Sequence, residues 1–154
     1  MNSLPKFKYW LPVILAMAFI FWMSTESFSE QNTSGFIQAI LRFFVPAISR
    51  HQLNLFHAAL RKAAHITEYL VLGMLLFRAF RAGSPEWHSC RWALSALACI
   101  VLYAASDEFH QSFTTTRTSS VIDVGYDTLG GFIGQCISVV WHYKSGWKDR
   151  GGKG

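Results

Sequence analysis

The chain has 154 residues, half of them hydrophobic (51%), with 13 Phe, 6 Trp and a formal net charge of +5. That length fits one compact domain, and the apolar residues gather in membrane-length runs instead of scattering as in a soluble core. Basic residues sit at the ends of the runs and form no stripe with interleaved aromatics, so no nucleic-acid partner is expected.

The first apolar run is Tyr9 to Met23, preceded by Lys6 and Lys8. A signal peptide has the same basic start, but a cleavage site wants small residues. Trp22 and Met23 are bulky there, so a retained transmembrane helix is expected. Pro12 falls in its first turns, where proline is tolerated. Ser24 to Ser34 reads as a polar loop. Phe36, Ile37, Ile40, Leu41, Phe44, Val45 and Ile48 then make one apolar face, with Gln38 and Arg42 off it. That stretch is too short to span, ends near Pro46, and reads as a short interfacial helix.

From Ser49 to Phe80 there is no proline, and the only glycine is Gly73, so one long helix is expected. Its membrane part, from Arg61 to Arg78, is roughly 26 Å long at the helical rise, close to a bilayer core. Gly83-Ser84-Pro85 breaks the chain. A third span runs from Trp92 to Gln111, roughly 28 Å by the same rise. Phe113 to Ser119 is a Thr-rich loop, and a fourth span covers Val121 to His142. Residues 144–154 are basic and glycine-rich and read as a mobile tail. Of the three cysteines, Cys99 and Cys136 lie in apolar runs, so buried free thiols are expected and no disulfide frame. The predicted fold is all-α: a polytopic membrane helical bundle with four transmembrane helices plus the short interfacial one, forming a single domain over residues 1–143.

Lysine and arginine favour the cytoplasmic side. With four spans, one face holds Lys6, Lys8, Arg78, Arg81, Arg91, Lys144, Lys148, Arg150 and Lys153. The other holds Arg42, Arg50, Arg61, Lys62 and Arg117. Both termini are therefore expected in the cytoplasm. Three ionisable segments then converge on the outer end of the bundle: Arg61 to Tyr69, Ser106 to Gln111, and Arg117 with Asp123 and Asp127. Such groups are costly in hydrocarbon and mark either a functional site or a closed polar network that sets helix register. Gly130 and Gly134, with small residues on the third span, suit close helix approach.

His65 and Glu68 are three apart on a helix, as are Asp107 and His110, and Arg61 lies one turn outward of His65. Asp107, Glu108 and His65 are the candidate acid/base residues. Arg61, Lys62 and Arg117 suit a phosphate or other anion, or else snorkel and pair with nearby acids. Ser120-x-x-Asp123 has the form of a capping box, which gives Asp123 a structural role. Asp127 has no such role and is the stronger candidate. The acids outnumber these three cations by two. Protonated carboxyls, charged histidines or a bound cation would each relieve that excess. No pattern such as HExxH is present, so no metal or other cofactor is assigned.

Arg61-Lys62-x-x-His65-x-x-Glu68-Tyr69, then Asp107-Glu108-x-His110-Gln111-x-Phe113, then Arg117 with Ser119, Asp123, Asp127 and Gly130, resembles the VanZ-like family. Trp22-Met23-Ser24 fits as well. Thr115-Thr116 stand where the family pattern has Pro-Gly, a departure that bears on the loop's turn and not on the charged residues. The resemblance implies a small integral protein of the bacterial cytoplasmic membrane, of a family whose founding member confers low-level teicoplanin resistance. It also implies that Tyr69, His110 and Gln111 join Arg61, Lys62, Glu68, Arg117, Asp123 and Asp127 as binding residues. The expected function is binding or modifying an amphiphile, such as a lipid-linked envelope precursor or a lipoglycopeptide, at the outer leaflet. Two alternatives remain: a membrane-embedded hydrolase or transferase on a lipid phosphate, and a structural or partner-binding membrane protein.

Overall fold

The computed structural model describes residues 7–25, 30–82, 90–113 and 120–151. Among them are five helices and no strand: α1 (Phe7–Met23), α2 (Glu30–Phe44), α3 (Arg50–Arg81), α4 (Cys90–Gln111) and α5 (Val121–Gly151). The all-helical class agrees with the apolar runs and the absence of proline from the interiors of α3, α4 and α5. Two boundaries differ from the sequence reading. α2 begins at Glu30, inside the stretch read as a loop. α5 continues to Gly151, past His142 where the apolar pattern ends.

Ser49 starts α3 with a reciprocal cap. Its hydroxyl accepts from the Gln52 amide at 3.3 Å, while its own amide donates to Gln52 Oε1 at 3.0 Å. Two otherwise orphaned donors are satisfied at once. The 32 residues of α3 would measure roughly 48 Å, longer than a bilayer core. α3 and α4 are each long and apolar enough to cross a membrane, and α1 is a shorter apolar helix of 17 residues. Asp123, Asp127, Gln135 and several glycines dilute the apolar run of α5.

Around an apolar core, large apolar side chains face outward and several polar ones are buried. Leu94, Leu102, Phe109, Val121 and Trp141 are exposed, each at 65% or more. Asp107, Glu108, Gln111, Asp127, Gln135 and Ser138 are buried. Water would oppose both halves of that arrangement, whereas hydrocarbon outside the bundle favours both. The cysteines are free, but Cys90 and Cys136 are exposed on the bundle surface and Cys99 is half-buried, so the expected burial of Cys136 is not met.

α3 and α5 run parallel and make the closest crossing. A Cβ added to Gly130 would lie 2.5 Å from the Ile66 carbonyl oxygen. One at Gly134 would collide with the Leu70 carbonyl, and one at Gly73 with that of Gly131. The glycines let the two backbones touch. α4 runs antiparallel to α5. With its amide nitrogen turned to the Ala93 carbonyl and its oxygen to the Leu97 amide, both at 3.1 Å, buried Gln135 clamps the two helices. α1 completes the core: Trp10 meets Phe80 edge to face at 5.1 Å, and the Tyr103 hydroxyl donates to the Met17 carbonyl at 2.6 Å.

Candidate functional site

Because α1 and α4 run against α3 and α5, one end of the bundle gathers the C-terminal turns of α1 and α4, the first turns of α5 and the middle of α3. Asp107 lies there, 3% exposed. Its Oδ2 accepts from the Ser24 hydroxyl at 2.9 Å and from Gln111 Nε2 at 3.1 Å. Gln111 Nε2 also reaches Ser24 Oγ at 3.2 Å, which closes a small polar triangle. The other oxygen, Asp107 Oδ1, is buried with no hydrogen-bond partner.

Asp127 on α5 is fully buried. Its Oδ1 is 3.5 Å from His65 Nδ1 on α3, without hydrogen-bond alignment, and neither carboxylate oxygen has a hydrogen-bond partner. One ligating atom each from His65, Asp107 and Asp127 lies within 4.8 Å of the others. A bare carboxylate in a low-dielectric interior is strongly penalised, so this centre needs a compensating positive charge. Its lone pairs suit it to accept a proton or hold a cation.

At the centre a small recess is lined by Arg61, Lys62 and His65 of α3, Glu108 and Gln111 of α4, and Asp123, Tyr126 and Asp127 of α5. Lys62 stands 4.0 Å from Asp123 and over the Tyr126 ring at 4.5 Å. The capping box expected of Asp123 is not formed. Ser120 Oγ accepts from the Ile122 amide at 3.2 Å, and the Ser120 amide donates to Glu108 Oε2 at 2.8 Å. The acid that completes the cap comes from α4.

Other candidates lie apart from the recess lining. Glu68 lines a separate groove of about 530 Å³ between α1 and α3, with Ala16, Phe19, Ile20, Leu60, Ala63, Ala64, Thr67 and Val71. Tyr69 is fully buried, its ring 6.2 Å from that of Tyr103 and its hydroxyl without a hydrogen-bond partner. His110 lies against the Phe21 ring at 4.5 Å. Arg117 lies outside the described residues. Ser24, Tyr126 and Gln135 were not singled out as site or clamp residues from sequence. A lone serine after an apolar run carries no periodic signal, and Ser24 stood out only as the end of Trp22-Met23-Ser24.

Apolar helices wrapped around a buried histidine–carboxylate centre define an all-helical protein of membrane type. The chain belongs to the VanZ/LLP1 family, whose sequence pattern matches residues 9–142. No curated protein and no solved structure matches it. Family membership and the two long apolar helices together point to a membrane protein.

Proposed function

We propose that this is a four-span envelope protein that binds or modifies an amphiphile at the outer leaflet, with both termini in the cytoplasm, and so contributes to resistance against lipid-tailed glycopeptides. The observation that carries this reading is the pairing of two cavities on α3. The apolar groove lined by Ala63, Thr67 and Glu68 and the polar recess lined by Arg61, Lys62 and His65 draw on neighbouring residues of the one helix. An amphiphile has the same two parts. Its chain would fill the groove and its anionic head would meet Arg61 and Lys62.

The proposed orientation draws support from the opposite end of the bundle. Lys8 and Arg78 flank the Tyr9 ring at 4.9 and 5.5 Å, and Arg91 lies over Trp92 at 4.4 Å. Cations over aromatic rings at helix ends suit a cytoplasmic interface. Counted with α1 and α5 as spans, this supports a recess that faces the outer leaflet. The hydrolase or transferase alternative draws on the nearness of His65 to Asp127, whose Nδ1 and Oδ1 are 3.5 Å apart.

The test is an alanine series at His65, Glu68, Asp107 and Asp127, read as protection against teicoplanin and against a glycopeptide without a lipid tail. Loss of protection against the tailed compound alone, at normal membrane abundance, supports the reading. Loss of abundance in every variant assigns the residues to the fold and rejects it.

A further inference from the structure

We propose that His65, Asp107 and Asp127 bind one divalent transition-metal ion of the zinc type, with a coordination position open to the recess. Three helices, α3, α4 and α5, each supply one ligand. One neutral imidazole and two carboxylates carry a charge of minus two, which a divalent ion cancels. The donor set of nitrogen and oxygen suits an ion of borderline softness.

The buried atoms without partners are the ones such an ion would use. Both Asp127 oxygens and Asp107 Oδ1 are buried and unbonded. Asp127 is fully buried, so no water shell compensates its carboxylate. Ser24 and Gln111 hold Asp107 by Oδ2 alone, which leaves Oδ1 turned free. That is how second-shell donors orient a ligating carboxylate. The spacing is near that of a bound site. Tetrahedral ligands at about 2.1 Å from zinc stand ~3.4 Å from one another. His65 Nδ1 and Asp127 Oδ1 are at 3.5 Å, and all three ligating groups lie within 4.8 Å. Closure on an ion would draw the ligating atoms together by ~1.4 Å at most. Three protein ligands leave a fourth position, and His65 and Asp127 both line the recess. An anionic head group held near Arg61 would reach the ion there. The site stands on these contacts and does not depend on the amphiphile reading.

The experiment uses the full chain purified in detergent, stripped with a chelator and titrated with Zn²⁺, then with Co²⁺ as a spectroscopic probe. One equivalent of Zn²⁺ should bind, and the Co²⁺ form should show the visible absorption of a tetrahedral site, lost on adding Zn²⁺. His65→Ala and Asp127→Asn should weaken Zn²⁺ binding by on the order of 100-fold or more. Ser24→Ala, which would touch no metal, should weaken it about 10- to 100-fold. Asn54→Ala, at an exposed position of α3, should leave it unchanged. If the ligand variants fail to fold, the wild-type Co²⁺ spectrum and Ser24→Ala decide the matter. No Zn²⁺ bound by the wild type at micromolar concentration, or equal affinity in Ser24→Ala and Asn54→Ala, overturns the site.

Discussion

Glu108 Oε2 accepts a hydrogen bond from the Ser120 amide at 2.8 Å, so the last turn of α4 caps the first turn of α5. The cap crosses the loop between the two helices and fixes how Asp127 approaches Asp107. It also gives Glu108 a structural task beside its place in the recess wall.

Removal of that cap should cost stability. Glu108→Ala loses a charge-assisted bond and is expected to destabilise the protein by about 1–2 kcal/mol. Glu108→Gln keeps an acceptor and should cost less. Asp123→Ala should cost under ~1 kcal/mol, because its Lys62 partner is half exposed at 4.0 Å. Thermal unfolding in detergent orders the three, and a larger loss in Asp123→Ala than in Glu108→Ala would remove the cap assignment.

At the parallel crossing of α3 and α5, Gly134→Ala drives a methyl into the Leu70 carbonyl, whereas a Cβ at Gly125 meets nothing within 4 Å. Backbone cannot yield as a side-chain tip does. Gly134→Ala should therefore lose at least ~1–3 kcal/mol, and Gly125→Ala should be tolerated. Abundance in isolated membranes is the measurement. Equal abundance of the two variants would argue against the close crossing.

Asp107→Asn should abolish protection against teicoplanin while the protein stays in the membrane. The amide retains an oxygen for Ser24 and Gln111, so the triangle survives, but the charge opposite His65 is lost. Asp123→Asn should be mild, since among the described residues that carboxylate pairs with a half-exposed lysine at 4.0 Å. Full protection in Asp107→Asn would make the charge dispensable.

Occupying the groove tests the tail-binding half of the proposal. Ala63 is exposed on its wall, so Ala63→Trp would take up its space without entering the core. Protection against the tailed glycopeptide should fall by on the order of tenfold, about 1.4 kcal/mol of lost binding, with membrane abundance unchanged. Unchanged protection would remove the groove from the mechanism.

Topology is open to labelling. With both termini cytoplasmic, Thr115→Cys should react with a membrane-impermeant thiol reagent on intact cells, and a cysteine placed between Gly83 and Trp87 should not. The reverse pattern would turn the recess toward the cytoplasm.

Apolar run lengths and the positions of proline and glycine were enough to locate α3 and α4 closely, because helix propensity and burial in hydrocarbon are local properties of a segment. The motif residues were legible for the same reason: ionisable groups inside apolar runs are costly wherever they fall. Local spacing said less about partners. His65 and Glu68 are three residues apart, yet that step turns roughly 60° around the helix, enough to aim one at α5 and the other at α1. Ser120-x-x-Asp123 had the form of a cap, but Glu108 stands closer to the Ser120 amide and takes its place. Ser24 binds Asp107 across 83 residues of chain. Such pairings depend on how parallel and antiparallel helices slide against one another. Contacts between backbones at Gly73, Gly130 and Gly134 set that register, so only the packed bundle brings His65, Asp107 and Asp127 to one point.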